Sequence, residues 1–193
     1  MADIEFTAYA DDCLFHAHLE IPAGSRLTDY LNELDRVRLT DVQLLALEDG
    51  HQVRQESLEL DVNDIFAIEA PAAGGATAHK IRTRTSRVEV ELGPYRVLGH
   101  LHGPTSGDPF AAITRRKSMI PITEATVAFT LNGEARMRDI DVIIVNRLRA
   151  SVVQRVVAEP DKLADFGISS VDPHAKDLTP ELSYGIRAPE PPD

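Results

Sequence analysis

The chain has 193 residues, 43% of them hydrophobic and 26% charged, with one cysteine and a formal net charge of −11. A chain of this length holds one or two small domains. Its lone Cys13 excludes an internal disulfide framework, and no apolar run approaches the roughly 20 residues of a membrane helix, so no membrane insertion is expected.

The opening, MADIEFTAYADD, is acidic and lacks the basic start of a secretory or transit segment. A cytoplasmic protein is therefore expected. The first clear element follows in CLFHAHLEI, residues 13–21, which alternates strictly. Cys13, Phe15, Ala17, Leu19 and Ile21 share one side, and Leu14, His16, His18 and Glu20 the other, as on a half-buried strand. A short helix is expected next, with Ser25 as N-cap and Leu27, Tyr30, Leu31 and Leu34 on one face. A strand, DVQLLAL, runs into Asp49-Gly50, a hairpin signal, and a returning strand ends in DIFAIEA.

PAAGGATA, residues 71–78, reads as a linker. Beyond it the same order recurs. Val97, His100, Leu101 and Pro104 match Phe15, His18, Leu19 and Pro22. After a one-residue insertion, Thr123-Glu124-Ala125 matches Thr40-Asp41-Val42, Asn132-Gly133 matches Asp49-Gly50, and Val145-Asn146 matches Val62-Asn63. Asp108 and Pro109 are expected to open the second helix, with Phe110 and Ile113 on its apolar face.

The fold class expected is α+β, mostly β: two tandem copies of a small β-β-α-β-β-β sheet or barrel-like domain plus an extended C-terminal tail. The domains run over 1–70 and 79–157, with the extended or disordered arm at 158–193. Residues 1–72 carry 16 acidic and 4 basic side chains, and residues 79–157 carry 7 and 13. Opposite charges of this kind steer association within a chain or between copies. The arm contains Pro160, Pro173, Pro180 and Pro189 among spaced apolar residues such as Phe166, Ile168, Leu182 and Tyr184, which suit a segment laid along a neighbouring surface.

RLTDYLN at 26–32, LTDV at 39–42 and the closing Val-Asn at 62–63 and 145–146 resemble a group of small uncharacterised bacterial β-rich domains. These carry an Arg-Leu-x-Asp-x-Leu-Asn helix and a later Leu-Thr-x-Val strand. The second copy departs from the pattern, with PFAAITR in place of RLTDYLN. The resemblance implies a domain type and no activity.

No nucleophile motif, phosphate-binding glycine loop or dinucleotide fingerprint occurs, and strand parity places Cys13 on the core side. The chain is read as no enzyme, with no cofactor. The favoured function is a tandem-repeat structural or adaptor module that associates with itself or a protein partner. Arg82, Arg84, Arg115, Arg116, Phe166, Ile168, Leu182 and Tyr184 are its candidate contact residues. A metal- or small-ligand-binding module is the alternative, because His16 with His18 and His100 with His102 each share one side of a strand. Nucleic-acid binding through the basic second domain is the lesser alternative. No aromatic residues interleave with the bases, so nucleic acid is not the expected partner.

Overall fold

The alternation at residues 13–21 forms a strand, β2 (Cys13–Ile21), paired antiparallel with β1 (Ala2–Tyr9). The computed structural model describes residues 1–70, 83–111, 113 and 117–156. After β2 come a five-residue helix α1 (Leu27–Leu31), then β3 (Arg36–Ala46), β4 (Gln52–Asp61) and the short β5 (Ala67–Glu69). The second half supplies β6 (Arg84–Leu92), β7 (Tyr95–Gly103), β8 (Met119–Leu131), β9 (Glu134–Asn146) and β10 (Val152–Arg155). The fold is mostly β, and the strands join in one antiparallel sheet ordered β10-β6-β7-β8-β9-β5-β1-β2-β3-β4. Among the described residues its ladder does not close, and β10 and β4 are its two edges. The expected linker at 71–78 and arm at 158–193 lie outside the described residues.

Local details differ from the sequence expectation. Arg26, not Ser25, caps α1, and it does so in an extended conformation without a side-chain bond. Leu27 and Leu31 are buried, so packing rather than capping holds this short helix. In the second half Asp108 does cap locally, accepting from the Phe110 N–H at 3.0 Å. Residues 109–111 there form a turn.

The two β-hairpins also differ in length. Asn132 and Gly133, with φ of 51° and 77°, make a two-residue turn between Leu131 and Glu134. The first hairpin turns earlier, over four residues, with the Ala46 N–H bonded to the His51 carbonyl at 2.9 Å. The longer second hairpin shifts the returning strand. Asp61 stands opposite Arg36, and Asn146 opposite Met119. Thus Asn146 takes the place of Asp61 rather than that of Asn63. Each accepts a bond from the N–H two residues on, at 2.8 Å from Asn63 and 3.1 Å from Leu148.

One irregularity occurs twice. The β2–β3 ladder slips between His16 and His18, and the β7–β8 ladder slips between Leu98 and His100. His18 faces Thr40, and His100 faces Thr123. The next residues, Asp41 and Glu124, both have φ of 49°. A bulge of this kind bends the strand and increases its twist.

Bending lets one sheet enclose two cores. The first contains Phe6, Phe15, Leu19, Leu31, Val37 and Leu39, and is joined by Met119 and Ile144 from the second half. The other contains Val90, Tyr95, Val97, Ile122, Val127 and Ile143, and receives Tyr9, Leu14, Leu47 and Phe66 from the first half. Leu14 lies on the parity side opposite Phe15, and both are buried because each face of β2 meets a different core.

Gly99 sits at the second bulge, where an added Cβ would lie 2.6 Å from Ile122 Cγ2 and 3.0 Å from the Thr123 carbonyl oxygen. Ala17 holds the corresponding place at the first bulge and fits there, 1% exposed. Gly99→Ala should therefore destabilise the fold by about 1–3 kcal/mol through overpacking. The check is a lower urea midpoint with an unchanged slope.

Candidate interaction site: the seam and the open edges

The two halves meet where β5 pairs with β9. Ala67, Ile68 and Glu69 stand opposite Val145, Ile144 and Ile143. Main-chain bonds extend the pairing at both ends, from the Asn146 N–H to the Phe66 carbonyl at 2.8 Å and from the Ala70 N–H to the Val142 carbonyl at 2.9 Å. β5 is short, buried at Ala67 and Ile68, and has strand neighbours on both sides.

Side chains reinforce this seam. Arg138 on β9 meets the Glu69 carboxylate on β5 with two N–H groups, at 2.8 and 3.3 Å. The Tyr9 hydroxyl also donates to Glu69. Burial, with the Glu69 charge beside it, drives the Tyr9 pKa far upward and keeps the phenol a donor. Asn32, the last residue of RLTDYLN, reaches the second half as a strand would. Its amide donates to the Met119 carbonyl at 3.0 Å, and its oxygen accepts from the Met119 N–H at 2.9 Å. Asn146 is fully buried and donates to the Ile65 carbonyl at 3.1 Å. Arg149 bonds Asp64 at 2.7 Å and lies 5.5 Å over the Phe66 ring. Tyr9, Phe66, Tyr95 and Phe129 pack edge-on across the seam, with Tyr9 and Tyr95 centroids 5.0 Å apart. The Tyr95 hydroxyl donates to the Cys13 carbonyl at 3.0 Å.

The four histidines of the metal alternative lie opposite the β2 and β7 core residues, as parity predicts, and each is half-buried. Their ring nitrogens meet separate partners. His16 bonds Thr7 at 2.9 Å, His18 bonds Asp3 at 2.9 Å, and His100 approaches Glu124 at 3.2 Å. His102 lies between Thr83 and Thr123, at 2.9 and 2.7 Å. Among the described residues no group of three or more His, Cys, Asp or Glu side chains forms a metal-binding cluster. The Cys13 thiol is half-buried, and desolvation with the nearby Asp12 charge raises its pKa to about 11.

Several second-half arginines are held by acids: Arg96 by Glu89, Arg136 by Glu134, Arg138 by Glu69, Arg149 by Asp64 and Arg155 by Asp108. Of the candidate contact residues, Arg84 opens β6 opposite Gly103 and is exposed. Arg82, Arg115, Arg116, Phe166, Ile168, Leu182 and Tyr184 lie outside the described residues. Sequence reading missed the edges and the joining role of Asn32. The available signal was the polarity of QVRQESLELD, which alternates poorly and suits an edge strand.

No helix among the described residues is long and apolar enough to cross a membrane. Comparison with family models, curated proteins and solved structures gives no match.

Two outcomes follow from the seam. Glu69→Ala would strand the Tyr9 hydroxyl and leave Arg138 without its carboxylate, so it should cost about 2 kcal/mol in chemical unfolding. His16 and His18 should titrate on opposite sides of the ordinary histidine value. Burial, then the Arg138 charge, lowers the His16 pKa, whereas the hydrogen bond to Asp3 raises that of His18. Stabilisation from neutral His16 is present above the unfolded pKa and is lost as pH falls through its folded value. That from charged His18 is present below the unfolded pKa and is lost as pH rises through its folded value. Imidazole NMR titration should give the lower midpoint for His16.

Proposed function

We propose that this chain is a non-catalytic structural or adaptor protein, built from one small β-domain written twice, that self-associates or docks in a larger assembly. The observation that carries the duplication is the repeated bulge, with the same register slip and the same left-handed residue at Asp41 and Glu124. A shared defect is stronger support than shared strands, because antiparallel ladders are common and a bulge must be specified locally. Strand order within each half agrees with it: β5-β1-β2-β3-β4 and β10-β6-β7-β8-β9.

The assembly role is supported by three features. One chain already uses strand addition to join its halves, and among the described residues it keeps two open edges. Its halves carry opposite charge. Large apolar side chains also remain exposed at Val53, Leu148 and Val152. The non-catalytic reading is supported by the protonated Cys13 thiol and by arginine partners on Glu69, Asp64 and Asp108. A cytoplasmic setting suits the single thiol.

Size-exclusion chromatography with light scattering tests the reading at low and high salt. The expected mass at micromolar concentration is a multiple of the chain mass, with a larger monomer fraction at high salt as charge attraction is screened. A strict monomer in both conditions would overturn self-association.

A further inference from the structure

The seam between the halves has a counterpart at the outside of the molecule. β4 occupies in the first half the place of β9 in the second, and β10 occupies the place of β5. β9 and β5 are paired, whereas among the described residues β4 and β10 each lack a neighbour on one side. We infer that β4 of one copy of this chain adds antiparallel to β10 of the next, repeating between molecules the β9–β5 seam within one. The inference deepens the self-association proposed above and rests on it.

Register follows from the counterparts. Glu91 faces Val152 as Tyr9 faces Ala67, so Val152 corresponds to Ala67 and Gln154 to Glu69. The Ser151 N–H bonds the Glu91 carbonyl at 2.9 Å, as the Phe66 N–H bonds that of Tyr9 at 2.8 Å. On the other strand Asp61 corresponds to Asn146, and hence Leu60 to Val145 and Leu58 to Ile143. The intermolecular pairs are therefore Val152 with Leu60, Val153 with Glu59 and Gln154 with Leu58.

Three observations fit this occupant. Val152 on β10 is 37% exposed, one of four large apolar side chains left exposed among the described residues. In the ten-stranded antiparallel order the two edges run oppositely, so a β4–β10 contact continues the alternation without reversal. The edges also differ in charge. β4 carries Glu56, Glu59 and Asp61 against Arg54, whereas β10 carries no acid and only Arg155, which is paired with Asp108 of its own chain. Arg155 falls opposite Ser57 and diagonal to Glu59, within reach of a long side chain. The charged side chains of β4 discourage indiscriminate strand pairing. The contact is heterologous, so it joins chains head to tail.

The test uses the full chain with Cys13→Ser as background. One preparation carries Leu60→Cys and the other Val152→Cys. Their seam counterparts, Val145 and Ala67, form a non-hydrogen-bonded pair, whose Cα spacing suits a disulfide. On mixing and oxidation, nearly all covalent product should be the mixed dimer, and a chain with both substitutions should give a ladder of larger species. In parallel, Ser57→Pro blocks the outward edge of β4. It should reduce the light-scattering mass to that of one chain while the β circular dichroism is retained. Equal yields of the two like-with-like dimers, or an oligomer with no mixed cross-link, would overturn the edge pairing and leave self-association standing. A monomeric parent chain would overturn both. If Ser57→Pro fails to fold, the cross-linking result decides.

Discussion

The structure depends on one pairing, that of β5 with β9. Three residues, Ala67 to Glu69, have strand neighbours on both sides, and through them two open sheets become one. Buried main-chain groups need partners, and an unpaired edge exposes a row of them. Joining the halves edge to edge satisfies those groups for one edge of each half. The remaining contacts at the seam then fall on a preset register: Arg138 on Glu69, Tyr9 on Glu69, Asn146 on Ile65.

The seam also explains how small halves sustain a core. A domain of this size buries only about 60% of the surface its unfolded chain exposes. Here Met119 and Ile144 complete the first core, and Tyr9, Leu14, Leu47 and Phe66 complete the second. Each half lends residues from the face its own core does not use. That exchange requires the sheet to bend, and the two bulges beside His18 and His100 supply a bend at the same place in each half. Gly99 is small there because the backbone of the facing strand comes close, and Ala17 is buried at the corresponding place. The self-association proposed for the molecule is the same device used outward, strand addition at an edge.

Much of the fold was legible in residues alone. Strict alternation at 13–21 set β2 and its faces, and Asn132-Gly133 marked a turn that needs two left-handed residues. The histidine pairs fell opposite the core because Phe15, Leu19 and Ile21 had to face it. Other features were not legible. The first hairpin turns over four residues and the second over two, and no local signal measures ladder length. In the strand ladders Asn146 therefore takes the place of Asp61, two residues before the Asn63 with which the sequence aligns it. Ser25 looked like a cap, yet α1 is set by the burial of Leu27 and Leu31. Asn32 was visible in RLTDYLN, but its partner, Met119, is distant in sequence.

Sequence by itself determined which side of each strand is apolar, where the chain turns, and that the two halves carry opposite charge. These are local properties, written in side-chain period and turn chemistry. Tertiary structure alone decided that the halves share a sheet, that Leu14 and Phe15 are buried in different cores, and that β4 and β10 are the edges among the described strands. Such outcomes depend on which strand lies beside which, and main-chain hydrogen bonds carry no side-chain code by which that choice could be read.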